Sequence, residues 1–199
     1  MDYYFSKHPT SNHDEKEWSF ILRNKKMKFK TDSGVFSKNT VDYGSRILIN
    51  EINDNTLPKG PLLDMGCGYG PIGLSLAATT SRNITMVDIN ERAVDLAKIN
   101  AKLNNLYNVN IFISDVYSNI NCKFAAILMN PPIRAGKKII YKMVIDSKNY
   151  LIFNGKLLIV IQKKQGEPSM YKLMKREFGN ISILKRDKGY YVLESELVR

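Results

Sequence analysis

The sequence predicts an α/β fold: a doubly wound, Rossmann-like, mostly parallel sheet of seven strands with an antiparallel last strand, preceded by a small N-terminal β-hairpin. Three observations carry that expectation. From residue 61 to residue 178, short apolar strand-like runs mostly alternate with segments of helical spacing. In one sheet such alternation means right-handed crossovers and helices on both faces. The run Phe124-Ala125-Ala126-Ile127-Leu128-Met129 has no polar face, as a strand covered on both sides requires. Finally, the stretches 181–186 and 190–197 flank Asp187-Lys188-Gly189, a hairpin turn that makes the last strand antiparallel.

Residues 1–16 are polar and are expected to form a mobile segment ahead of a single domain spanning 17–199. Glu17–Arg23 and Lys26–Thr31 read as a hairpin turning at Asn24-Lys25. Arg23, Lys25, Lys26, Lys28 and Lys30 alternate with Met27 and Phe29, giving one cationic and one apolar face. A helix over 42–53 follows, with Asp42 as N-cap and Ile47, Leu48 and Ile52 at helical spacing. The core, 61–199, then reads as strand 61–65, helix 71–80, strand 83–88, helix 91–103, strand 108–113, strand 123–129, helix 137–150, strand 156–163 and helix 168–178, before the closing hairpin.

Three motifs sit at the ends of those strands. The first is Asp64-Met65-Gly66-Cys67-Gly68-Tyr69-Gly70-Pro71-Ile72-Gly73, an acid followed by alternating glycines and a helix start. Glycines permit positive φ and close ligand approach, and the helix N-terminus presents its positive end to the loop. Gly68-x-Gly70-x-x-Gly73 alone does not separate NAD from S-adenosylmethionine. Asp64, two residues before the first glycine, suits a ligand carrying an ammonium group. The second motif is acidic: Asp88 ends strand 83–88, where a carboxylate can bind ribose hydroxyls, and Asp115 follows strand 108–113, where it could accept from an adenine amino group. The third is Asn130-Pro131-Pro132-Ile133. Two prolines cannot continue a ladder, and proline pushes the preceding residue out of the helical region. The result is a rigid corner where the Asn130 amide and the Pro131 carbonyl suit gripping an –NH₂ group.

Together these motifs resemble the class I S-adenosylmethionine-dependent methyltransferases. More narrowly, the chain resembles the guanine-N2 methyltransferases of small-subunit ribosomal RNA (the RsmC family) over roughly residues 17–199. Gly34-Val35-Phe36-Ser37 with Val41-Asp42-Tyr43-Gly44-Ser45 adds an upstream signature of that family. Larger members carry two copies of the fold, the first degenerate; this chain has room for the catalytic copy, and Asn130 to Lys137 looks like the single-domain branch. The resemblance implies S-adenosylmethionine as cofactor, held by Asp64, Gly66, Gly68, Gly70, Asp88, Ile89, Asp115, Val116 and Asn130. It implies catalysis at Asn130, Pro131, Pro132 and Ile133, with guanine N2 of ribosomal RNA as methyl acceptor. Ile133 stands where many amino-methyltransferases place a base-stacking aromatic; Phe36 is the candidate replacement, or else a core side chain. Adenine N6, a protein glutamine N5, and a non-catalytic RNA-binding module of the same fold are the alternatives.

Composition narrows the partner. The net charge of +11 is concentrated in residues 134–189, which hold 14 basic and 4 acidic groups. That asymmetry points to a polyanionic partner, which the resemblance implies to be ribosomal RNA or the small subunit, with Arg134, Lys137 and Lys138 placed to hold phosphates beside the corner. No membrane span or signal peptide is expected. Cys67 and Cys122, without metal-ligand spacing, suggest reduced and buried thiols in a cytoplasmic protein, and no metal site is expected. A monomer is expected.

Overall fold

The computed structural model describes residues 12–132 and 135–198. A two-stranded sheet pairs β1 (Lys16–Leu22) with β2 (Lys25–Thr31). The ladder closes at Leu22 opposite Lys25, so the turn is Arg23-Asn24, one residue earlier than the sequence suggests. Both residues take positive φ, 46° and 62°, which matches the twist of a two-residue hairpin. Arg23 does not join the cationic face. Its guanidinium donates to the carbonyls of Ile49 and Ile52, each at 2.9 Å, closing the end of α1 (Tyr43–Glu51). Met27 and Phe29 are buried, while Lys25, Lys26 and Lys28 are exposed, so the period-2 pattern holds.

The main sheet is built from β3 (Leu62–Met65), β4 (Ile84–Asp88), β5 (Val109–Ile113), β6 (Phe124–Met129), β7 (Leu151–Gln162), β8 (Ser182–Asp187) and β9 (Tyr190–Glu196), in the spatial order β5-β4-β3-β6-β7-β9-β8. The pairs from β5 to β7 are parallel, and β9 runs antiparallel to both β7 and β8. The expected doubly wound, seven-stranded arrangement is therefore present. Along each strand, alternate residues feed two cores. Leu62, Leu128 and Leu158 pack with α1, α2 (Pro71–Ala77) and α3 (Glu91–Leu103) on one face. Leu63, Ile127 and Leu157 pack with α4 (Lys137–Asp146) and α5 (Glu167–Phe178) on the other. Covering both faces is why every residue of β6 is buried.

Element ends differ from expectation for local reasons. The helix expected over 137–150 gives way at Ser147 to a 3₁₀ turn, where the Ser147 hydroxyl donates to the Val144 carbonyl at 2.6 Å. β7 begins five residues early, because Leu151 already pairs with Phe124 before the register shifts. Asn154, at φ 60°, lies inside that irregular stretch. Cys67 is buried as expected, but Cys122 is exposed, in the loop leading into β6. Ahead of β1, the His13 ring bonds Asp32 and the Asp14 N–H donates to Asp32 Oδ1 at 2.6 Å, which ties these described residues of the leading segment to the body. No helix among the described residues is long and apolar enough to cross a membrane.

Candidate active site

The carboxyl ends of β3, β4, β5 and β6 open onto one cleft, the usual ligand position in an open α/β sheet. The glycine loop forms its floor. Gly66 and Cys67 donate their N–H groups to the Val87 carbonyl at 2.8 and 2.9 Å, hanging the loop from β4. Gly66 and Gly68 hold φ 75° and 57°, and a Cβ on either would meet nothing within 4 Å. The loop is thus open on its cleft side. Gly70, at φ 98°, is the N-cap residue of α2 and faces Leu74 and Met86 instead.

Asp88 sits on the cleft wall beneath that loop. Its Oδ2 accepts from Gly68 N–H and its Oδ1 from Asn90 N–H, both at 2.9 Å. Burial pushes the carboxyl above its ordinary pKa, while the N–H groups of Asn90, Gly68 and Ile89 pull it back down. Ile89, Asp115 and Val116 line the cleft next to it. Val116 has φ 52°, an uncommon conformation for a β-branched residue, and the Ser114 hydroxyl pins it by donating to the Val116 carbonyl at 2.8 Å.

Asp64 is placed differently from the sequence expectation. It is 0 % exposed and does not reach the cleft surface; Oδ2 accepts from the Gly73 N–H at 2.8 Å, at the first turn of α2. Its Oδ1 has no hydrogen-bond partner. Burial, opposed by the Gly73 N–H and reinforced by repulsion from Asp88, raises its pKa to about 7. The strand-to-helix packing explains the placement, since a Cβ at Gly73 would come within 2.7 Å of Met86 and 3.0 Å of Asp64 Oδ2. α2 can lie this close only because residue 73 has no side chain.

The far wall is the Asn130-Pro131-Pro132 corner. The Asn130 amide nitrogen donates to Asp42 Oδ2 and to Ser45 Oγ, both at 3.0 Å. A carboxylate only accepts, so Asp42 fixes which end of the amide faces it and leaves Asn130 Oδ1 on the other side. Asp42 Oδ2 also accepts from Ser45 N–H at 3.0 Å, capping α1. One carboxylate therefore anchors a helix and orients the corner. The sequence showed Asp42 as a cap and gave Ser45 no role; their second partner lies 88 and 85 residues away, and no local signal reports it. The Pro132 carbonyl accepts from Ala135 N–H at 2.8 Å as the chain turns towards α4.

Phe36 lines the cleft and is 45 % exposed, so the structure places it at the surface rather than in the core. Lys137 and Lys138 are exposed in the first turn of α4, flanking the cleft residues Ala135 and Ile139. Ile133 and Arg134 lie outside the described residues. Tyr69, at the middle of the glycine loop, lines the cleft and packs its buried ring edge-on against Trp18 and Phe29, docking the hairpin against the loop. No cluster of His, Cys, Asp and Glu among the described residues could hold a metal ion.

The family model described as "Methyltransferase small domain" matches residues 26–194. The chain belongs to that family. It is 47% identical to the uncharacterized protein YbxB of Bacillus subtilis, over 99% of both chains. It is 36% identical to ribosomal RNA small subunit methyltransferase C of Haemophilus influenzae, over 80% of this chain and 48% of that protein. Among solved structures it matches the Thermus thermophilus 16S rRNA N2 G1207 methyltransferase (RsmC), a complex with AdoMet and guanosine, at a TM-score of 0.83 and 23% identity. That match covers 94% of this chain and 52% of the other. This methyltransferase domain thus spans all but a sliver of the Bacillus relative but about half of the methyltransferase C proteins it matches.

Proposed function

We propose that this methyltransferase domain transfers a methyl group to an exocyclic amino group of RNA, namely guanine N2 of small-subunit ribosomal RNA. Its cofactor is S-adenosylmethionine, which when bound supplies an electrophilic methyl on a sulfonium centre. The open glycine cradle and the strand-end carboxylate fit that group. In this reading Asp88 takes the ribose hydroxyls, Asp115 the adenine amino group, and Ile89 and Val116 flank the adenine ring. Gly66 and Gly68 leave room for the amino-acid end, and Asp64 stands behind the loop, holding the start of α2 in place through the Gly73 N–H.

The observation that carries the reading is the orientation of Asn130. With its nitrogen committed to Asp42 and Ser45, the group it offers a substrate is an acceptor, Oδ1. Guanine's N2 lone pair is delocalised into the ring and is a poor nucleophile. Donation of its two N–H bonds to Asn130 Oδ1 and the Pro131 carbonyl holds the nitrogen with its lone pair out of the ring plane. Positive charge developing on nitrogen then meets two fixed dipoles, so positioning and electrostatics supply the catalysis. Pro131 and Pro132 keep that corner rigid, Phe36 is offered as the surface on which the base lies, and Lys137 and Lys138 as phosphate contacts. A base paired in a duplex cannot reach the cleft, so the target is single-stranded or flipped.

The RNA reading draws support from the family, from the relatives that methylate ribosomal RNA by name, and from the basic segment 134–189. Mass-spectrometric mapping of small-subunit RNA from a strain lacking the gene tests it. Loss of one N2-methylguanosine, restored by the purified chain with S-adenosylmethionine, is the expected result. Loss of an N6-methyladenosine instead, or unchanged RNA, overturns the guanine assignment.

A further inference from the structure

The register of the sheet makes one side of the cleft taller than the other. β3 and β6 stop together at Met65 and Met129, and Met129 pairs with Ile159 of β7. β7 continues for three more residues to Gln162, which pairs with Tyr190 of β9, and Tyr190 pairs in turn with Asp187 of β8. These tips rise about 10 Å beyond the end of β6, at roughly 3.3 Å per residue. They form a wall standing next to Asn130.

The crest of the wall is cationic. Lys163 and Lys164 follow β7, Lys188 makes the β8–β9 turn, and all three are exposed. Lys163 N–H donates to the Gly189 carbonyl at 2.8 Å, which joins the two crests. Lys188, at φ 45°, holds its ammonium 4.9 Å from the centre of the Tyr43 ring, and the Tyr43 hydroxyl donates to Asp187. Tyr43 is the neighbour in sequence of Asp42, the residue that grips Asn130. Crest and corner are therefore parts of one connected unit.

Residues 134–189 hold only four acids. Three of them are engaged away from the crest: Asp146 pairs with Lys142, Glu177 with Lys148 and Arg176, and Glu167 is buried in the first turn of α5. The fourth, Asp187, sits on the crest at the tip of β8 and bonds Tyr43, so the three lysines leave the crest net positive. Among the described residues, Lys163, Lys164 and Lys188 have no carboxylate partner. Lys137 and Lys138 mark the other rim. A polyanionic strand crossing the cleft would meet cations on both sides of Asn130.

We infer that Lys163, Lys164 and Lys188 form a second phosphate-binding site, gripping the backbone of single-stranded RNA beside the nucleotide that enters the cleft. The inference rests on the RNA reading above and adds the path of the strand.

The test measures binding of a short fluorescein-labelled single-stranded RNA of mixed sequence over a range of salt, for three full-length chains: wild type, Lys163→Gln/Lys164→Gln/Lys188→Gln, and Lys25→Gln/Lys26→Gln/Lys28→Gln. The last set lies on the N-terminal hairpin, near the end of α1 remote from Asn130. The wall variant should flatten the slope of log affinity against log salt by about 2, at roughly 0.7 per phosphate lost for a single strand. Its affinity for S-adenosylmethionine should stay at the wild-type value, which also reports an intact cleft. The hairpin variant should keep the wild-type slope. An unchanged slope in the wall variant overturns the inference, and so does an equal loss in the hairpin variant, which would mean diffuse charge. If the wild-type chain binds no RNA, the RNA reading fails and the wall falls with it.

Discussion

Asp88 and Asn130 both stand at the carboxyl end of a parallel strand and both line the cleft, yet they are held by different means. Asp88 is fixed by backbone N–H groups, those of Gly68 and Asn90, within the motif that contains it or the loop beside it. Asn130 is fixed by two side chains, Asp42 and Ser45, from the helix that precedes the sheet in sequence. Backbone support survives most substitutions because it depends on chain path. Side-chain support is a choice of two residues and can be lost by one change. The half of the site proposed to hold cofactor is thus built into the fold, and the half proposed to meet substrate is tuned from outside it.

The largest effect should follow Asn130→Ala. Removing one preorganised polar contact lowers turnover by about 10²–10³. Affinity for S-adenosylmethionine, read by calorimetric titration, should hardly move, because Asp88 and the glycine loop keep their own partners. Equal losses in turnover and affinity would show that the two halves are not separable. Asp88→Ala should do the reverse. Each charge-assisted hydrogen bond lost to a ribose hydroxyl costs about 1.5–3 kcal/mol of cofactor binding. The orphaned Gly68 and Asn90 N–H groups add loop disorder to that cost. Wild-type affinity in this variant would remove Asp88 from the cofactor site.

What could be read in the sequence follows the same division. The glycine loop, Asp88 and the Asn130 corner announce themselves because alternating glycines, a strand-ending acid and paired prolines are patterns of the local sequence, even though the partners that fix Asn130 lie far away in it. The alternation of Met27 and Phe29 with lysines likewise located the hairpin. Its turn falls one residue earlier than composition suggests, since Arg23-Asn24 and Asn24-Lys25 are both acceptable turn pairs and only the pairing of Leu22 with Lys25 decides. The direction in which Asp64 points was equally illegible, because it depends on how closely α2 packs against β4 at Gly73. Asp42 hid its second role because a capping residue already has a sufficient local explanation.

Asp64 sharpens the contrast inside the backbone-supported half. Its folded pKa of about 7 lies above the ordinary 3.8. Between these values the folded chain holds a proton that the unfolded chain releases, so cofactor-free stability is greatest below the lower value and falls as pH rises through the window. The loss from about pH 5 to pH 7 amounts to roughly 2 kcal/mol. Asp88, also raised by burial, contributes in the same direction, so the comparison must be between variants. Asp64→Asn cannot titrate and should show a flatter stability profile in urea unfolding across that range. Identical slopes for the two proteins would mean that Asp64 is ionised in the fold, its charge met by the α2 N-terminus alone.

The smallest effect is the most discriminating. Asp42→Asn keeps a good N-cap, since Asn and Asp cap helices about equally well, so α1 should remain as stable as before. What changes is the partner offered to Asn130: an amide can present either its oxygen or its NH₂, whereas a carboxylate can only accept. Part of the population then turns Asn130 Oδ1 away from the substrate amine. Turnover should fall by about tenfold, near the 1.4 kcal/mol of one ordinary hydrogen bond, with thermal stability and cofactor affinity unmoved. Ser45→Ala removes the other anchor and should add to that loss in the double variant, because both act on one amide. If Asp42→Asn instead loses stability and keeps its turnover, Asp42 is a helix cap and nothing more, and the orientation of Asn130 is set by the proline corner itself.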